Sequence, residues 1–142
     1  MRNPAAAFPR SYVNTPVRDT LASYSAAPSV ALIEAVLAAA QSGGLAVDVT
    51  GSTAESGLRI RMIASTAGEL VLPLFTSLAE LGLAVPEDQR DGVQGNLMPA
   101  AQALGLINAA DFVAVQFDPG SRAVVVKRSL IEAALGLEPK QP

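Results

Sequence analysis

The sequence contains no histidine, no cysteine and no tryptophan. Their absence removes disulfides, Cys nucleophiles, Ser-His-Asp triads, His or Cys metal sites and any imidazole working as an acid or base near neutral pH. No long hydrophobic run is present either: the longest apolar stretch, residues 30–40, is broken by Glu34 and falls far short of the roughly 20 residues that span a bilayer. Basic blocks are missing too. Ten Lys and Arg stand against 13 Asp and Glu, a net charge of −3, so nothing tracks a phosphate backbone and nucleic acid is not an expected partner. What is present is a 142-residue chain that is half hydrophobic, enough for one globular domain and too little for two ordinary ones.

Residues 1–28 are rich in Ala, Pro and Ser and carry three arginines against Asp19, a balance of +2 that leaves −5 for the rest. Lacking a sustained period, this segment reads as an N-terminal arm. Three of the six aromatics, Phe8, Tyr12 and Tyr24, lie in it, which is unusual for a solvated linker. Part of the arm is therefore expected to pack, through these rings, on the body or on a second subunit. The segment itself holds no apolar core of a secretory signal, and the expected location is the cytoplasm.

From Ser29, a fitting N-cap, a helix reads to Gln41 and stops at Gly43-Gly44. Its polar positions, Glu34 and Gln41, are seven apart, so most of its circumference is apolar and must be covered on more than one side. Strand patterns follow at residues 45–50, 58–64 and 69–75, with short connections that predict antiparallel pairing. In the second of these Arg59 and Arg61 alternate with Leu58, Ile60 and Met62, placing two guanidiniums on one face. Residues 77–83 form a short helix with a capping-box pattern at Ser77 and Glu80, repeated at Ser129 and Glu132. Asn96 is placed to cap a helix through Ile107. Strands at 112–117 and 122–128 flank Asp118-Pro119-Gly120-Ser121, a type II turn by composition, and residues 129–137 close the domain as a helix. The fold class is α+β: a mainly antiparallel or mixed five-stranded sheet covered by helices, with an arm at 1–28, a domain at 29–137 and a tail at 138–142.

The stretch Leu72-Pro73-Leu74-Phe75-Thr76-Ser77, running into Leu78-Ala79-Glu80-Leu81, resembles the LPLFTS signature of the SseB family N-terminal domain. A helix and strand meander before it, then a late hairpin with a Pro-containing turn and a last helix, agree with that family's order. The resemblance implies a small bacterial α+β domain named for enhanced serine sensitivity rather than for a reaction. It carries over no catalytic residues.

Phe75, Thr76 and Ser77 are thus the signature candidates. Two readings apply: an anion site at a helix start, or a cap and a core residue. Arg59 and Arg61 could fork a carboxylate or phosphate, or keep a sheet face soluble. Glu87, Asp88 and Asp91 lack EF-hand spacing, residues 51–57 fail as a P-loop, and Asp48, Glu69 and Asp111 have no spacing that predicts a converging carboxylate pair. No metal or cofactor is expected, and no catalysis. The expected function is a non-enzymatic protein-interaction or accessory module, the partner being another protein or a second copy in a homodimer. The alternative is a small-molecule module that binds an anion or amino acid through Arg59, Arg61 and the Thr76-Ser77 helix start.

Overall fold

A computed structural model describes residues 8–136 apart from 56, 58, 65 and 66. Residues 1–7 of the expected arm, Leu58 of the expected second strand, Leu137 of the closing helix and the 138–142 tail therefore lie outside it. The elements run α1 (Thr15–Ala26), α2 (Val30–Ala39), β1 (Gly44–Asp48), β2 (Ile63–Ala64), β3 (Leu70–Leu74) and α3 (Leu78–Leu83). A 3-10 turn (Glu87–Gly92) follows, then β4 (Gly95–Pro99), α4 (Ala100–Gly105), a second 3-10 turn (Leu106–Ala109), β5 (Phe112–Phe117), β6 (Val124–Lys127) and α5 (Arg128–Leu135).

The α+β class holds, but the strands form two sheets rather than one of five strands. One is the antiparallel ribbon β1-β4, and the other has the order β2-β3-β5-β6 with β3 and β5 parallel. A bridge between Ala46 and Phe75, with reciprocal N–H to C=O bonds of 2.8 and 3.0 Å, ties them together. The main core lies between the inner faces of β3, β5 and β6, strand β1 and helices α1, α2, α4 and α5, with Leu72, Leu74, Val115, Phe117 and Ile131 fully buried in it. A smaller core of Ala46, Phe75, Leu81, Val85 and Leu97 fills the other side of the ribbon. Because β1 is sandwiched between the two, all five of its residues are buried.

Several local expectations change. The segment read as an arm contains α1, whose Val17 and Leu21 are fully buried. Asn14 caps it by accepting the Val17 N–H at 3.2 Å, and Val17, Leu21 and Tyr24 keep the spacing of one helix face. This helix covers α2, supplying the second cover that the apolar circumference of α2 demands. Within the expected second strand only Ile63 and Ala64 pair, with Val71 and Leu70. The ribbon partner of β1 is instead β4, so Asn96 sits in a strand opposite Val47 and caps nothing. The physical reason is Pro99, which disfavours helical backbone at Met98; α4 begins only at Ala100. At the last helix Lys127, not Ser129, occupies the cap position, without a side-chain bond. Glu132 turns back to Arg128 instead, at 3.2 Å.

The β5-β6 hairpin forms as expected from Phe112 and Val124 onward, with a different turn. Gly120 does not adopt positive φ, whereas Asp118 (φ 49°) and Ala123 (φ 53°) do. The turn is therefore not type II. Glycine is required at 120 for space: a Cβ there would come within 2.7 Å of the Leu83 carbonyl carbon and 2.8 Å of the Ala84 nitrogen.

Candidate functional site

The signature residues form a clasp. Phe75 is buried in the smaller core while its main chain bonds Ala46. Thr76, fully buried, donates its N–H to Asp118 Oδ1 and its hydroxyl to Asp118 Oδ2, both at 2.8 Å. The Thr76 carbonyl accepts the N–H of Asn14, the α1 cap, at 2.8 Å. Ser77 Oγ accepts the Glu80 N–H at 3.1 Å, the expected cap of α3. Six residues of sequence thereby hold together β1, the start of α1, the start of α3 and the 118–123 turn.

Asp118 escaped the sequence reading, which assigned it to a turn. Its side chain is buried, its N–H bonds the Leu74 carbonyl, and its own carbonyl accepts from Ser121 and Ala123. Burial is the largest influence on its carboxyl and pushes the pKa up. The two Thr76 bonds oppose that, Glu80 adds to it, and Arg18 pulls the other way. The Asp-Pro-Gly run following an apolar strand was the only signal available, and it marks a turn without naming what the carboxylate will meet.

Above the clasp lies a cleft of about 480 Å³, lined by Arg18, Asp19 and Ala22 of α1, Glu80 of α3, and Asp118, Ser121 and Arg122. Among the described residues the ion pairs within 4 Å are Arg61–Asp48 and Arg128–Glu132, so the cleft's charges of both signs do not neutralise one another directly. Ser121 Oγ donates to Glu80 Oε1 at 2.6 Å and joins two of its walls.

The other sequence candidates are dispersed. Arg61 lies 3.6 Å from Asp48 Oδ2, and Asp48, buried, also accepts from the Thr50 N–H and hydroxyl at 3.0 and 2.6 Å. Arg61 and Phe75 share a small hollow of about 80 Å³. Arg59 lines a separate hollow with Thr50, Met62 and Phe112. The two arginines therefore do not converge, because the backbone that carries them is not a strand, and neither hollow includes Thr76 or Ser77.

The SseB protein N-terminal domain family model matches residues 17–133. This chain belongs to the SseB family. No curated protein and no solved structure matches it. The SseB match begins inside α1 and ends inside α5, so it takes in the helix that composition had assigned to an arm. Ahead of it, Phe8 and Tyr12 stack edge to face with ring centroids 4.9 Å apart against the smaller core of the SseB domain. Tyr12 Oη accepts the Gly44 N–H at 2.9 Å, and a Cβ at residue 44 would meet the Phe8 ring at 2.7 Å. Tyr24 packs on the main core. All three aromatics thus touch the body of their own chain. No helix among the described residues of this SseB domain is long and apolar enough to cross a membrane.

Proposed function

We propose that this SseB domain is non-enzymatic and serves as a protein-interaction or accessory module in the bacterial cytoplasm. The observation that carries the reading is an apolar groove of about 440 Å³ between α2 and α5, lined by Leu37, Ala38, Leu130, Ala133 and Ala134 with Glu34 and Gln41 at its margins. Val30, one turn before Glu34 on the same helix face, is 72% exposed, and Leu130 is 38% exposed. Large apolar side chains beside an apolar groove are the features by which surfaces recruit other chains. The signature supports the same reading from the other direction. Its hydroxyls and the Asp118 carboxylate bond one another and the backbone, work that holds the fold. An anion site built from Arg59, Arg61, Thr76 and Ser77 draws no support from the separation of those groups.

The first partner to test is a second copy of the chain. Light scattering over a wide concentration range, on wild type and on the Val30→Glu and Leu130→Glu variants, reads self-association. A photo-crosslinking residue at position 130 in living cells reads any other partner, with the same residue at exposed position 88 as the reference. Adducts or dimers that depend on Val30 and Leu130 support the proposal. A monomer at every concentration, with crosslinks at 130 no different from those at 88, overturns it.

A further inference from the structure

The cleft above the clasp differs in kind from the α2-α5 groove. Five of its seven lining residues are charged, the others being Ser121 and Ala22. Arg18 stands on α1, which is anchored in the main core by Val17 and Leu21. Arg122 stands on the 118–123 turn, which is fixed at one end by the buried Asp118 and pressed at Gly120 against the main chain that leaves α3. Glu80 stands in the first turn of α3, and one of its oxygens is held by Ser121 while the other has no partner among the described residues. Cations and anions are thus mounted on three separately braced elements around one space, and no pair of them closes to ion-pair distance.

Such an arrangement selects among ligands by sign. A simple anion would meet Arg18 and Arg122 but also Asp19, Glu80 and Asp118; a simple cation would meet the converse. Only a molecule bearing both charges satisfies both sets of groups at once. The braced walls reduce the ordering that binding must impose. The pKa of Asp118, pushed up by Glu80 and pulled down by Arg18, agrees that these groups act on a common space.

We infer that the cleft between α1, α3 and the 118–123 turn binds a small dipolar molecule, with Arg18 and Arg122 holding its carboxylate or phosphate and Glu80 facing its cationic nitrogen. This site is independent of the α2-α5 groove, and neither result decides the other. The same chemistry is presented by a free zwitterion and by adjacent acidic and basic side chains of a peptide, and the volume favours the free molecule.

The test is NMR titration of the full chain with phosphoethanolamine, glutamate and arginine, set against acetate, inorganic phosphate and methylammonium, which each bear charge of one sign, and against a Glu-Lys peptide blocked at both ends. At least one zwitterion is expected to saturate, to move the amide signals of Arg18, Glu80 and Arg122, and to bind about tenfold or more tightly than every single-sign probe. Arg18→Gln and Arg122→Gln, both at exposed positions, are expected to weaken it by a similar factor and to leave the far-ultraviolet spectrum unchanged. No saturable binding by any zwitterion overturns the inference. So do equal binding of a single-sign probe, tighter binding of the blocked peptide, and binding that persists in both glutamine variants.

Discussion

Replacing Asp118 separates a clasp that holds the fold from a residue that merely occupies a turn. In Asp118→Ala the buried N–H and hydroxyl of Thr76 both lose their acceptor. Each unsatisfied buried group costs about 1–3 kcal/mol, the hydroxyl less because it can rotate. Alanine must also adopt the φ of +49° that Asp118 holds, a region that Asn and Asp tolerate and other side chains enter at a cost of about 1 kcal/mol. A loss of about 3–5 kcal/mol is therefore expected. Asp118→Asn keeps the shape, the tolerance for positive φ, an acceptor for the Thr76 N–H and a donor for its hydroxyl, and it removes a buried charge. Its stability at neutral pH is expected to stay within about 1 kcal/mol of wild type. The pH dependence follows from the direction of the shift. Burial raises the folded-state pKa above the ordinary 3.8, so between those two values the folded chain binds more protons than the unfolded one. Stability contributed by Asp118 is greatest below the ordinary value and declines as pH rises through the raised one. The wild-type minus Asp118→Asn difference should therefore fall with rising pH across that window and be flat above it. Urea denaturation followed by circular dichroism at a series of pH values measures both effects. A loss below about 1 kcal/mol in Asp118→Ala, equal losses in the two variants, or a difference that rises with pH would refute the reasoning.

Arg128 offers a second test, since it donates to the carbonyls of Ile107, Ala110 and Phe112 at 2.9–3.3 Å and pairs with buried Glu132. Arg128→Ala strands that charge and should cost about 3 kcal/mol, seen as a melting temperature lower by about 10 °C. Arg128→Lys should recover only part of it, because an ammonium cannot fork as a guanidinium does, and full recovery would show that charge alone matters. Ser77→Ala should lower stability by on the order of 1 kcal/mol through loss of the α3 cap, and no change in the denaturation midpoint would mean that the signature serine has a role other than capping.

Elements whose bonds close within a few residues were legible in the sequence. The Ser29 and Ser77 caps both form, with bonds to Leu32 and Glu80. Strand β5 and the hairpin it begins were readable because an apolar run, a turn and a second apolar run are adjacent. Elements defined by distant partners were not. Residues 95–99 look like the entrance to a helix until β1, some fifty residues earlier, is available to pair with them. Arg59 and Arg61 alternate as in a strand, yet their N–H groups bond Ser52 Oγ and the Asp48 carbonyl singly, and a strand ladder forms only at Ile63 and Ala64. Helix α1 left a faint trace in Asn14, Pro16 and the Val17-Leu21-Tyr24 spacing, masked by a composition typical of arms.

Composition and local pattern by themselves determined the α+β class, the absence of imidazole and thiol chemistry, and the family signature, because these depend on residue identity and near-neighbour geometry. The division into two sheets, the parallel pairing of β3 with β5, and the meeting of Thr76 with Asp118 and of Arg18 with Arg122 were decided by tertiary structure alone. Hydrogen bonds and charges in those pairings join residues roughly 40 to 100 positions apart, and only burial of a shared core brings such positions within reach.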